Sequence, residues 1–164
     1  MVEMHVFGLA LDEESQVPIL ILKDGDGRFV LPIWIGNMEA VAISMAINKI
    51  QVQRPLTHDL FLRLLENLET SLDRVELTAL SEGTYYAELV LSTGDRQRRL
   101  DSRPSDAIAL ALRAGVPVLA TETLLETVAK GAEKPFQAVL DDAESDKWTE
   151  VLAKFDPDGK PYSM

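Results

Sequence analysis

The stretch Asp101–Arg113, DSRPSDAIALALR, keeps its polarity at its ends and an aliphatic run between them. Asp101, Arg103, Ser105 and Asp106 crowd one end. Upstream, Glu39 follows shortly after Gly36, and RPLTHDL carries Arg54, His58 and Asp59. Carboxylates, an imidazole and arginines can together handle a phosphate ester. Arginines and free helix N–H groups favour phosphate. Carboxylates oppose it unless Mg2+ or Mn2+ lies between, since those ions take oxygen ligands and polarise water. If the three stretches converge, Glu39, Asp59, Asp101 and Asp106 are candidate ligands for one or two such ions. His58 is a candidate general base or ligand. Arg54, Arg103 and Ser105 are candidates to bind the phosphate, and Arg103 to steady its developing charge. His58, Asp59, Arg103 and Asp106 make up the candidate catalytic set.

A second reading of the same residues needs no catalysis. The residue before a proline is pushed out of the helical region, and proline is welcome at the first helical position. Pro104 is therefore read as the first residue of a helix, with Arg103 extended at the N-cap. Ser105 is then N2 and Asp106 N3, able to reach back to the Arg103 N–H as in a capping box. An acid near a helix start contributes about 0.3–1 kcal/mol by the dipole alone. On this view Arg103 pairs with Asp59 or Asp106, and the network fixes helix ends in a non-enzymatic, dimeric binding or regulatory module.

Elements must carry these residues to one place. MHVFGLAL, VPILILKD and FVLPIWIG read as three strands of an antiparallel meander, turned at KDGDGR. Pro32 argues for an edge strand or a bulge. Two helices follow: one from Asn37, read as its N-cap, and one from the cap candidate Thr57 with Leu60, Leu64 and Leu68 at four-residue spacing. DRVELTAL, TYYAELVLS and DRQRRLD read as a second meander. The third helix, apolar on every side from Ala107 to Leu112, is expected to be buried all round, and the first is built in the same way. Gly115 is expected to end the third helix as C′. VPVLA is a short buried strand and TETLLETVAK a fourth helix. The fold class is thus α+β: a mixed, largely antiparallel sheet of about seven strands with four or five helices. Residues 1–130 form the domain. Residues 131–164 are an acidic extension with one short helix expected at 147–154. Trp34 is expected in the core, His5 as a structural residue, and Arg96–Arg99 as a solvated edge strand that could touch a phosphate backbone.

Composition narrows the chemistry. The chain has 164 residues and no cysteine, which excludes disulfides, thiolate catalysis and Cys-ligated zinc. Two histidines are too few for a His-rich metal site. No apolar run is long enough for a membrane span, and the start lacks a signal peptide, so a cytoplasmic protein is expected. The formal charge is −11. The tail holds eight acids and four lysines, hence −4, which leaves −7 on the rest. Contact with nucleic acid would have to be local or metal-bridged.

LPIWIGNMEAVAI, RPLTHDL and DSRPSDAIALALR, in this order, resemble the bifunctional nuclease domain family. The resemblance covers roughly Met1 to Lys130. It implies an α+β domain, often dimeric, and cleavage of DNA and RNA. The positions that match its motifs are Glu39, Arg54, His58, Asp59, Asp101, Arg103, Ser105 and Asp106. A phosphodiesterase acting on nucleic acid, working as a homodimer, is the function expected.

Overall fold

The computed structural model describes residues 1–12 and 15–131. The helix expected at 147–154 lies outside these. Branched aliphatics build the first meander from β1 (Val2–Leu11), β2 (Pro18–Asp24) and β3 (Val30–Trp34). Pro32 sits in β3 at the edge of the sheet, where a missing N–H costs no ladder bond. The second meander is β4 (Ser71–Ser81), β5 (Thr84–Thr93) and β6 (Arg96–Ser102), all antiparallel. Between the two meanders lies β7 (Val118–Ala120), antiparallel to β1 and parallel to β4. The sheet therefore reads β3-β2-β1-β7-β4-β5-β6, seven strands and mixed, as expected.

Among the described residues four helices complete the α+β fold: α1 (Asn37–Ile47), α2 (Thr57–Asn67), α3 (Pro104–Ala114) and α4 (Glu122–Gly131). One large core unites the inward faces of both meanders with all four helices. On the opposite sheet face Glu76 is buried, and Arg74 and Arg99 neutralise it. Burial raises the Glu76 pKa, but hydrogen bonds from Arg99 and Arg74 outweigh this and hold it below the ordinary carboxylate range.

α3 packs against α1, α2, β4 and β5, and its body from Ala107 to Ala111 is buried, as the sequence predicts. Its alanines let neighbours approach closely, while Ile108 and Leu110 supply most of the apolar volume. Burying side chains of that size stabilises by about 1.5–3 kcal/mol each. Gly115 ends the helix at φ 69°, ψ 31°, the left-handed cap expected.

Several local expectations are corrected. α1 buries only Ala40, Ile43 and Ser44, and Met38 is 72% exposed, so its apolar body is not covered all round. Its N-cap is Gly36 rather than Asn37, and that of α2 is Leu56 rather than Thr57. In α2 the N3 acid, Asp59, accepts the N–H of the cap residue Leu56, which leaves Thr57 inside the first turn. Trp34 is 51% exposed instead of in the core, because β3 is an edge strand and Trp34 points away from the helices. His5 is exposed on β1, paired in register with Lys23. The row Leu60, Leu64 and Leu68 faces outward, while Leu65 holds α2 to the core.

Candidate functional site

Each meander ends in an edge strand that feeds directly into a helix: β3 through Gly36 into α1, and β6 through Arg103 into α3. Those edges would stand about 29 Å apart in a flat sheet of this width, at about 4.8 Å per strand. The helices cross that gap in a twisted sheet, and their first turns meet. Glu39, Asp59 and Asp106 occupy the same position, N3, in α1, α2 and α3.

Arg103 ties two of these acids together. Its backbone is extended (φ −66°, ψ 142°), as the following proline requires. Its Nε donates to Asp106 Oδ2 at 2.7 Å and its Nη1 to Glu39 Oε1 at 2.8 Å. Asp106 therefore uses an oxygen on the Arg103 side chain, where a capping box would have used the backbone N–H. The other Asp106 oxygen, Oδ1, lies 3.3 Å from His58 Nε2. Partial burial pushes the Asp106 pKa up, but the hydrogen bonds from Arg103 and His58 prevail and lower it. The Arg103 guanidinium is itself raised, first by Asp106 and then by Glu39. Its side chain remains well exposed to solvent. Gly36 makes room for this arrangement: a Cβ there would stand 2.2 Å from Glu39 Oε2.

Asp59 belongs to a second pair. Its Oδ2 accepts the Leu56 N–H at 2.9 Å, the backbone half of a capping box, and its Oδ1 accepts from Arg113 Nε at 3.0 Å. Arg113 also donates to the carbonyls of Ala109 and Ala42, so it ties α3 to both α1 and α2. Of the two partners expected for Arg103, Asp106 is the one it takes; Asp59 pairs with Arg113, and Arg103 adds Glu39, which was not expected. Beside the Arg113–Asp59 pair opens a cleft of about 530 Å3, bordered by Lys49, Ile50, Leu62 and Arg63.

The remaining candidates lie apart. Ser105 is buried at 7% exposure inside the first turn of α3. Arg54 is exposed in the α1–α2 connection. Asp101 stands opposite Glu88 in the β5–β6 ladder. Glu88 in turn stands opposite Glu76, so alternation puts Asp101 on the sheet face away from the helices. Sequence reasoning left Arg113 without a role, although a lone cation closing an aliphatic helix is a visible signal for pairing near a helix C-terminus.

An arginine fork, an imidazole beside a carboxylate and three helix starts at one corner of an α+β sheet have the parts of a phosphate-handling protein. The chain belongs to the bifunctional nuclease domain family, whose model matches residues 20–133 and so contains every residue of this corner. It is 38% identical to an uncharacterized protein of Mycobacterium tuberculosis over 161 residues, 95% of this chain and 96% of that one. It is 27% identical to Bifunctional nuclease 2 of Oryza sativa subsp. japonica over 159 residues, 94% of this chain but 48% of the rice protein. It is 30% identical to Bifunctional nuclease 1 of Arabidopsis thaliana over 112 residues, 66% of this chain and 34% of that protein.

Proposed function

We propose that the chain hydrolyses phosphodiester bonds in DNA, RNA or both, at the corner where α1, α2 and α3 begin, and does so in the cytoplasm. The observation that carries this reading is the chain of contacts from Glu39 through Arg103 and Asp106 to His58. Asp106 accepting from His58 Nε2–H leaves Nδ1 unprotonated and able to take a proton from water. The hydroxide attacks phosphorus, the P–O bond to the leaving oxygen on the opposite side breaks, that oxygen takes a proton from solvent, and the imidazolium returns its own to water. Arg103, open to solvent and forked, faces the negative charge that grows on the phosphate.

A resident Mg2+ or Mn2+ finds no ready donor set in this arrangement. Glu39 and Asp106 share the single charge of Arg103, and Asp59 is paired with Arg113. Among the described residues no three histidine or acid side chains converge as a metal cluster. Glu39 and Asp106 would become ligands only if Arg103 left them, and each step above uses side chains alone.

The test is cleavage of end-labelled RNA and single-stranded DNA with and without EDTA. Wild type is expected to cut in EDTA, and His58→Ala to lose about a hundredfold or more. Arg103→Lys, which keeps the charge but not the fork, is expected to lose a similar factor. Activity abolished by EDTA and restored by Mn2+ would return the metal to Glu39 and Asp106. Full activity of His58→Ala overturns the assignment of the base.

One observation favours a second reading, a dimeric binding module without catalysis. Every acid of the corner is paired with an arginine, as a structural network requires. The outward row of Leu60, Leu64 and Leu68 offers a face on which two copies could join. Wild type inactive on all substrates under every condition favours this reading.

A further inference from the structure

β6 is exposed along its whole length up to Asp101 and forms one edge of the sheet. Its arginines divide into two kinds. Arg99 turns to the face away from the helices, where Glu76 and Glu88 both hold it at 2.6 Å. Arg96 and Arg98 alternate to the other side. Arg98 stands opposite Leu91, which packs against the helix-side core, and Arg96 stands opposite Thr93. Neither forms an ion pair among the described residues. They are thus exposed cations on the same side of the sheet as Arg103, in a chain of net charge −11.

The spacing fits a polyanion. Residues two apart on a strand are separated by about 7 Å, close to the interval between successive phosphates on an extended nucleic-acid strand. From Arg98 the chain runs on for five residues, about 16 Å, to Arg103. Leu100 lies between them on the same face and is exposed, so it offers apolar contact to a base. Asp95, in the turn, marks the far end of the cationic row.

We propose that one strand of nucleic acid runs along the β6 edge, with successive phosphates on Arg98 and Arg96 and the phosphate to be cleaved at Arg103. This rests on the hydrolytic reading and adds to it the path by which the substrate is held. The same arginines would otherwise serve only to keep the edge from pairing with another sheet.

Anisotropy of a fluorescein-labelled thymidylate 20-mer, titrated with the full chain across a KCl series, separates these roles. Each phosphate neutralised on a single strand contributes about 0.7 to the slope of log K against log salt. Arg96→Ser/Arg98→Ser is therefore expected to lower the slope by about 1.4, while Arg96→Lys/Arg98→Lys restores it. Arg28→Ser/Lys130→Ser, which removes two exposed cations elsewhere, is expected to leave the slope as in wild type. In cleavage assays the serine pair raises KM and leaves kcat. A wild-type slope in Arg96→Ser/Arg98→Ser overturns the path and spares the hydrolytic reading. Wild type that binds no oligonucleotide even at about 50 mM KCl overturns both.

Discussion

Arg103 is the residue on which the corner depends, and its position follows from its neighbour. Pro104 forces it out of the helix, which aims its side chain across the first turns of α1 and α3 instead of along α3. There it bridges two N3 acids at once. The lowered pKa of Asp106 makes this a pH-dependent contribution. A carboxylate whose folded pKa lies below its unfolded value adds stability above the ordinary carboxylate range and loses it as pH falls through the folded pKa. Asp106→Asn should therefore be less stable than wild type at pH 7 by up to about 1 kcal/mol, small because the pair is partly exposed. The difference should vanish in acid once both proteins are uncharged at this position. Urea melts over a pH series descending from 7 measure it, and a gap that does not narrow as pH falls would mean that the charge is not what stabilises. The helix positions of Arg103, Ser105 and Asp106 were legible in the sequence because proline fixes register. Asp106 was legible as one of two partners for Arg103, but Glu39 was not, since that pairing depends on how α1 lies across the sheet.

α3 shows what an element's pattern can and cannot disclose. Its unbroken apolar run predicts complete burial, and the structure agrees from Ala107 to Ala111, because the sheet lies beneath it and α1 and α2 flank it, while Leu112 is only partly buried. α1 has a similar run yet stays half open, because nothing among the described residues covers the side that carries Met38. Apolar content reports what a helix could bury, not what arrives to bury it. The same holds for α2, where the four-residue leucine row points outward and the adjacent Leu65 points in. The end of α3 is governed by backbone alone. Gly115 has φ 69°, and a Cβ added there would meet nothing within 4 Å, so a substitution brings strain without a clash. Gly115→Ala should cost about 1–2 kcal/mol, a fall in Tm of roughly 2–8 °C for a domain of this size. Calorimetry checks this, and an unchanged Tm would show that the cap relaxes to another conformation.

At the level of the whole molecule, the two meanders are alike in plan: three antiparallel strands, then a helix entered from the outer edge. That likeness is faintly visible in the sequence as a repeated order of elements and becomes concrete where Glu39 and Asp106, equivalent in their helices, meet on one arginine. No helix among the described residues is long and apolar enough to cross a membrane. The exposed row on α2 is where a homodimer would form. If it does, light scattering should find wild type as a dimer and Leu64→Lys as a monomer of unchanged Tm. A wild type that is monomeric at all concentrations removes the dimeric reading.

The two meanders are joined through three residues. Val118–Ala120 supply the rungs to β1 on one side and β4 on the other, and Val2 is matched with Ala120 near opposite ends of the described chain. While the polypeptide is being made, β1 and β2 can pair as soon as they emerge, but the free edge of β1 must wait for nearly the entire domain. Throughout that interval it is an open strand, able to accept a stranger's backbone. The growing chain is therefore most vulnerable to mispairing just before β7 is synthesised, and a pause in translation upstream of Val118 would prolong that exposure.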